Sequence, residues 1–191
     1  MKTFFLLILL VSGCVARPAV ERNDALHFQQ SQAIKQQVMA RAATGDWLVT
    51  RGYHGTDNLV ANVTGLPISH VALFNAENKQ VIEAEGEGVH YSTLDDFIAK
   101  SYRVIVIRPR WRSRFNGAMA WREAMRLVGS DYDFLGTIGF NFPSRYYCSE
   151  LVVFAYRQWH SPKEKFPKVI KPGELYLYGE ILYDSLPRDE I

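Results

Sequence analysis

Residues Tyr146–Tyr156 read YYCSELVVFAY and set a cysteine directly before an apolar run. Apolar residues recur at helical spacing within this stretch and just beyond it, namely Leu151, Val152, Ala155, Tyr156 and Trp159. The segment before it carries Pro143 and Ser144, which favour an irregular chain. We therefore predict a helix over residues 147–160, with Cys148 at or near its N-terminus.

The composition is typical of one globular domain and argues against several classes of protein. The chain has 191 residues, of which 48% are apolar and 22% charged, unlike disordered, collagen-like or coiled-coil proteins. A net charge of +2 without a basic run argues against nucleic acid as a partner. We expect a single domain over residues 24–191, with an N-terminal helix at 24–43 and a core at 44–178.

Hydrophobic patterning predicts an α+β fold, in which a small antiparallel sheet packs with helices. The predicted strands are Trp47–Arg51, Ser69–Asn75, Gln80–Glu85 and Arg103–Arg108. Further helices are predicted over 93–100 and 116–128, whereas 52–66 and 131–145 are predicted to be loops.

The first residues are predicted to direct export and lipid attachment. Phe4–Val11 is apolar but far shorter than the roughly 20 residues that span a bilayer, so it fits a signal peptide. The small residues before Cys14 resemble a bacterial lipobox, which predicts a signal peptide at 1–13 and a lipid anchor with tether at 14–23. Val15 rather than an aspartate follows, so we expect the periplasmic face of the outer membrane. An ordinary signal peptide with an incidental cysteine is the alternative.

The count of cysteines makes Cys148 a candidate nucleophile. Only Cys14 and Cys148 are present, so lipidation of the first leaves the second without a disulfide partner. An unpaired thiol in an oxidising compartment is a liability unless it is buried or useful. The start of a helix favours the thiolate, and its amides can stabilise an oxyanion. A plain buried cysteine is the alternative.

A thiolate nucleophile needs a base, and His70 is the best placed of five histidines. It opens a predicted strand, where the backbone is rigid but the side chain reaches the surface. If Glu77 and Asn78 form a two-residue turn, Ala72 pairs with Glu83. His70 and Glu83 are then diagonal neighbours on one face of the sheet. A shift of one residue would send them to opposite faces.

Several residues compete for these roles. His54 and His90 are alternative bases, and Glu85 and Glu87 are alternative carboxylates, while Glu83 itself could be a solvated strand charge. The histidines lack metal-ligand spacing, so we expect no metal and no cofactor.

Four short motifs resemble one protein family. They are Gly45–Leu48 (GDWL), Ser69–Ala72 (SHVA), Ile82–Gly86 (IEAEG) and Tyr147–Val152 (YCSELV). In this order they resemble the YiiX/YebB/YaeF-type proteins, which are circularly permuted members of the NlpC-type papain-like superfamily. The resemblance runs from about residue 45 to 178 and implies a permuted papain-like fold, in which the histidine precedes the cysteine.

The resemblance also implies roles for individual residues. Cys148 matches the nucleophile, His70 the base and Glu83 the polar residue that orients it. Tyr132 is similar to a tyrosine that helps to bind the oxyanion, with a packed core tyrosine as the alternative.

Together these inferences predict an envelope lipoprotein that is a cysteine hydrolase. It would cleave an amide or ester bond in a peptide, lipoprotein or acyl-lipid substrate through a thioester intermediate, and bind the membrane through lipidated Cys14. An acyltransferase acting on lipids, or a non-catalytic envelope binding module of the same fold, are the alternatives.

Overall fold

The computed structural model describes residues 24–53 and 55–188. The predicted signal peptide, lipidated Cys14 and tether, together with His54, therefore lie outside the described residues. Among the helices that are described, none is long and apolar enough to cross a membrane.

Eight strands and five α-helices make up the described fold. The strands are β1 Trp47–Gly52, β2 His70–Asn75, β3 Gln80–Glu85, β4 Gly88–Thr93, β5 Ser101–Pro109, β6 Asp131–Tyr132, β7 Arg145–Tyr146 and β8 Gly179–Asp184. The helices are α1 Asp24–Arg41, α2 Gly55–Thr64, α3 Leu94–Ala99, α4 Arg114–Met125 and α5 Cys148–Phe154. Short 3₁₀ turns occupy Gly136–Ile138, Arg157–Trp159 and Pro172–Tyr178.

Six strands form one antiparallel sheet in the order β4-β3-β2-β1-β5-β8. Side chains alternate between its two faces, and both faces are covered, so the central strands carry apolar residues on both sides. Leu48 and Phe74 pack beneath α1 and α3, whereas Trp47 and Leu73 pack with α4 and α5. Burying each such side chain contributes about 1.5–3 kcal/mol. The α+β class expected from the sequence is therefore correct.

The β2–β3 hairpin has the register expected from the sequence, because Ala72 pairs with Glu83. The turn is wider than predicted, since pairing stops at Asn75 and Gln80 and leaves four residues between them. The Asn75 side chain stabilises this turn by accepting hydrogen bonds from two backbone amides within it. The wider turn leaves the register unchanged, so His70 and Glu83 share a face.

Several predicted boundaries were wrong. The segment 52–66 was expected to be a loop but contains α2, and β4 and β8 were not predicted at all. Residues 131–145 include the two-residue strands β6 and β7, which pair in parallel. The helix predicted over 147–160 ends at Phe154 and is followed by a 3₁₀ turn.

Close packing at Gly45 joins the chain just before β1 to the region after α5. Gly45 has a φ of 94°, and an added Cβ would lie 2.4 Å from Gly117 Cα and 2.5 Å from the Tyr156 hydroxyl oxygen. Tyr156 is fully buried and donates its hydroxyl proton to the Gly45 carbonyl over 2.7 Å. Only glycine fits this backbone and this space.

Candidate active site

Cys148 is the first residue of α5, as the sequence predicted, and only 6% of its surface is exposed. The residues on either side of it hold the same backbone segment. The Tyr147 hydroxyl accepts a hydrogen bond from the Ile170 amide at 3.0 Å, and the Ser149 hydroxyl donates to the Ile170 carbonyl at 2.5 Å. These two bonds fix the direction in which the chain enters α5.

His70 is the first residue of β2 and links Cys148 to Glu83. Its Nε2 lies 2.7 Å from Glu83 Oε2, and its ring packs 6.3 Å from that of Phe97. The Cys148 thiol is near enough to the same imidazole to raise its pKa. Because Nε2 is engaged by the carboxylate, Nδ1 is the nitrogen that remains to serve the thiol.

The pKa of His70 reflects this position between two acidic groups. Burial alone would lower the pKa, because it disfavours the charged ring. Hydrogen bonds to Cys148 and Glu83, reinforced by their charges, outweigh burial and raise the pKa from 6.5 to about 10. The ring therefore holds its proton at neutral pH, in the form that pairs with a thiolate.

Glu83 is fully buried and has a polar partner on each carboxylate oxygen. Oε2 faces His70, while Oε1 accepts hydrogen bonds from the Ser92 hydroxyl and from Lys100 Nζ at 2.8 Å. Burial would raise the pKa of this carboxyl, but His70 and Lys100 hold it below its usual range. The carboxylate is thus kept charged and oriented toward the imidazole.

The rival residues Glu85, Glu87 and His90 adjoin this group. Glu85 Oε2 is 2.8 Å from Lys100 Nζ. Burial alone would raise the pKa of this carboxyl, but hydrogen bonds and charges from His90, His70 and Lys100 outweigh burial and lower it. His90 Nε2 lies 3.4–3.7 Å from the nearest carboxylate oxygens of Glu83, Glu85 and Glu87. Glu85 Oε1 also lies 3.9 Å from His70 Nε2, so these side chains extend the charge network around the imidazole and Glu83.

Two groups of donors are close enough to hold a metal ion among the described residues. They are His70, Glu83 and Glu85, and Glu85, Glu87 and His90. In the first group, Lys100 Nζ lies 2.8 Å from both Glu83 and Glu85, so an ammonium already occupies the space beside these two carboxylates. A divalent cation in this group would meet the repulsion of the ammonium at close range. The first group therefore does not fit a metal ion, and we derive no step through one.

Tyr132, on β6, lies beside the residues that lead into α5. It pairs with Tyr146 across the two short parallel strands, and its ring centroid is 4.7 Å from that of Phe134. Burial, followed by the negative charge of Cys148, raises the pKa of its phenol. The hydroxyl therefore stays protonated, which is the state that can donate to an oxyanion.

A surface cavity of about 540 Å³ lies elsewhere and includes none of the predicted site residues. It is lined partly by Arg108 and Arg110, and these side chains are committed to structural bonds. Arg108 is paired with Asp46, and Arg110 donates to the Tyr178 carbonyl. We therefore place the candidate chemistry at Cys148, His70 and Glu83, which the structure brings together.

Sequence reasoning missed two members of this site, Ser92 and Lys100. Ser92 lies on strand β4, which was not predicted, so its hydrogen bond to Glu83 was not predicted either. Lys100 directly follows α3, and no local pattern links a lysine there to a carboxylate on β3.

Comparison with known proteins identifies the family of this chain. Residues 41–175 match the family described as permuted papain-like amidase enzymes, YaeF/YiiX. No curated protein matches the chain. Among solved structures it is similar to the crystal structure of metalloprotein yiiX from Escherichia coli, with 25% identity and a TM-score of 0.52. That similarity covers 62% of this chain and 66% of the other, so the chain spans about two thirds of the relative's length. Since the family match covers more than half of its residues, the chain belongs to the YaeF/YiiX family of permuted papain-like amidases.

Proposed function

We propose that the protein is an envelope cysteine hydrolase, which cleaves an amide or ester bond of a peptide, lipoprotein or acyl-lipid substrate. The observation that carries this proposal is the continuous set of contacts from Cys148 through His70 to Glu83. A nucleophile, a base and an orienting carboxylate in that order are the parts that thiol catalysis needs.

The first half of the reaction forms an acyl-enzyme. The Cys148 thiolate attacks the carbonyl carbon of the substrate, and the carbonyl oxygen becomes an oxyanion. The protonated His70 ring then gives its proton to the departing nitrogen or oxygen as the bond to carbon breaks. The products of this half are a free amine or alcohol and a Cys148 thioester.

The second half releases the acid. His70, now neutral, takes a proton from water, and the resulting hydroxide attacks the thioester carbonyl. Cys148 leaves as the thiolate and His70 is again protonated, so the enzyme returns to its starting state. Glu83 stabilises the imidazolium in both halves without itself taking the proton.

Stabilisation of the oxyanion falls to groups around the start of α5. The backbone amide of Cys148 belongs to the first turn of α5, where no earlier turn of the helix accepts its proton. Tyr132, with its protonated hydroxyl, is the side chain we propose as a second donor.

We further propose that lipidated Cys14 anchors the protein at the periplasmic face of the outer membrane. The lipobox-like sequence before Cys14 supports this location. Labelling cells with radioactive palmitate should mark the wild-type protein and leave Cys14→Ser unlabelled. A freely soluble, unlabelled wild-type protein would contradict the anchor.

Alkylation of the folded protein tests the nucleophile. Iodoacetamide at pH 7 should modify Cys148 faster than a small model thiol, because the His70 imidazolium stabilises the thiolate. Peptide mass spectrometry assigns the modified cysteine, and His70→Gln is the matched control that should slow the reaction. Modification of Cys148 only after unfolding would show a buried core cysteine and refute the enzyme.

A further inference from the structure

The segment 133–142, which we call the aromatic loop, presents large apolar side chains to solvent. Its five exposed members, each between 46% and 64% exposed, are Phe134, Leu135, Ile138, Phe140 and Phe142. Single exposed apolar residues are common, but five within ten positions form a patch of the kind that marks an interaction surface.

The aromatic loop is held in one conformation by its own hydrogen bonds. Asp133 is almost fully buried, and its carboxylate accepts from the Gly136 amide at 2.8 Å and the Phe142 amide at 3.0 Å. The Phe140 amide donates to the Leu135 carbonyl at 2.9 Å. The apolar side chains are therefore presented by an ordered backbone, so a binding partner need not order the loop first.

Cationic side chains lie directly over two of these rings. Lys168 Nζ is 5.1 Å from the ring centroid of Phe140, and the Arg145 guanidinium carbon is 5.7 Å from that of Phe142. Arg145 also lies 3.6 Å from the exposed carboxylate of Asp131. Apolar groups bordered by long cationic side chains match the boundary between acyl chains and anionic headgroups.

The base of the aromatic loop packs against the residue that precedes the nucleophile. The Asp133 amide donates to the Tyr146 carbonyl at 3.2 Å. An added Cβ at Gly136 would lie only 3.1 Å from the Tyr147 ring, so loop and ring are in close contact. Whatever binds the aromatic loop is thereby brought next to Cys148.

We propose that the aromatic loop inserts into the surface of a phospholipid bilayer that contains anionic lipids. Phe140 and its neighbours enter the acyl-chain boundary, while Lys168 remains among the phosphates. The Cys148 site then opens at the bilayer surface, where the scissile bond of an acyl-lipid or lipoprotein lies. This contact is separate from any anchor at Cys14, because it orients the site toward the membrane and does not merely tether it.

Site-directed photocrosslinking of the full chain tests the proposal. The photoreactive analogue p-benzoylphenylalanine replaces Phe140 in one protein and Phe28 in the matched control. Both proteins also carry Cys14→Ser, so that no lipid anchor holds α1 at the bilayer. Phe28 is 71% exposed on α1, which packs on the opposite face of the sheet from α5. Each protein is mixed with vesicles of phosphatidylethanolamine and phosphatidylglycerol that carry radioactive phosphate, and then irradiated. We expect several-fold more phospholipid on the chain labelled at 140 than on the control.

Further results test whether the aromatic loop inserts into the bilayer. Lys168→Glu in the protein labelled at 140 should lower crosslinking to these vesicles but not to neutral phosphatidylcholine vesicles. Equal labelling at 140 and 28 would overturn the proposal, and so would a crosslinked dimer in place of the lipid adduct, which would make the patch a self-association surface. The readout needs no turnover, so failure of the proposed hydrolase would not be mistaken for failure of bilayer insertion.

Discussion

Asp46 and Glu83 are both fully buried carboxylates, but the groups around them differ. Asp46 accepts from the Ala43 amide at 2.8 Å and from Arg108, whose Nη2 is 2.7 Å away. Glu83 instead receives hydrogen bonds from Ser92, Lys100 and the His70 ring.

The difference separates a structural ion pair from a candidate catalytic one. Arg108 is permanently charged, so its pair with Asp46 ties β5 to the connection between α1 and β1 and has no proton to exchange. His70 can gain or lose a proton, and it contacts Cys148 as well as Glu83. Burial of a carboxylate therefore does not identify an active site; a titratable partner that also reaches a nucleophile does.

The largest effect is expected from removing the titratable partner. His70→Ala should lower kcat by about 10⁴-fold, since no group remains to hold the thiolate and protonate the leaving group. Arg108→Ala is the control and should leave kcat of the folded protein near that of wild type. Steady-state kinetics on a small soluble ester or amide measures both. Full activity in His70→Ala would move the base to His54 or His90.

Neutral amides in place of the two carboxylates should have opposite consequences for kcat. Glu83→Gln should lower kcat by about 10²-fold or more, though no more than His70→Ala, and should also lower Tm because Lys100 and His70 lose a charged partner. Asp46→Asn should keep kcat but lower the free energy of unfolding by about 2 kcal/mol, because Arg108 loses its charged partner. Kinetics and thermal unfolding of both variants decide it. A Glu83→Gln enzyme with wild-type kcat would make Glu83 structural, like Asp46.

The pH profile should report His70. Hydrolysis needs the protonated ring, so kcat/KM should fall about tenfold per unit as the pH rises through a pKa of about 10. Alkylation of Cys148 should not fall there, because it needs no proton from the ring. Since the folded pKa exceeds 6.5, the ring stabilises the fold fully below pH 6.5 and loses this contribution as the pH rises through about 10. Loss of hydrolysis near pH 7 instead would contradict a raised pKa.

The smallest effect on kcat is expected from replacing the cations paired with the two carboxylates, which are Lys100 beside Glu83 and Arg108 beside Asp46. Lys100→Met should lower kcat only about tenfold, because His70 still orients Glu83. It should also raise the pKa of Glu83, since the ammonium now lowers it. Protonation of Glu83 as the pH falls removes the charged partner of His70 and forms the acid limb of the pH profile, so this limb should move to higher pH. Arg108→Met should leave that limb unchanged. An unshifted limb in Lys100→Met would mean that this lysine is only structural.

The core of the candidate site was predictable because it depends on short-range rules. Strand alternation and an even-numbered turn are enough to put His70 and Glu83 on one face, and apolar spacing is enough to start α5 at Cys148. The turn is two residues wider than expected, but His70 and Glu83 still share a face because the register of the two strands is unchanged.

The surroundings of the site were not predictable because they depend on distant packing. Lys100 and Glu83 meet only after α3 packs against the sheet, which no local pattern reports. Apolar and polar residues alternate only weakly along strand β4, which follows a two-residue turn. Ser92 was therefore not recognised as a partner of Glu83. The α2 segment is rich in asparagine and threonine, whose low helical propensity concealed its helix.

The bond from Tyr156 to the Gly45 carbonyl has a consequence for biosynthesis. It joins the region after α5 to the turn just before β1, and these two parts of the chain are synthesised far apart in time. The base and its carboxylate leave the ribosome first, and the thiol follows much later in the permuted order. A prematurely terminated chain can thus carry the β2–β3 hairpin but no nucleophile. Under the proposed mechanism, chains that end before α5 have the base and its carboxylate but cannot form the acyl-enzyme.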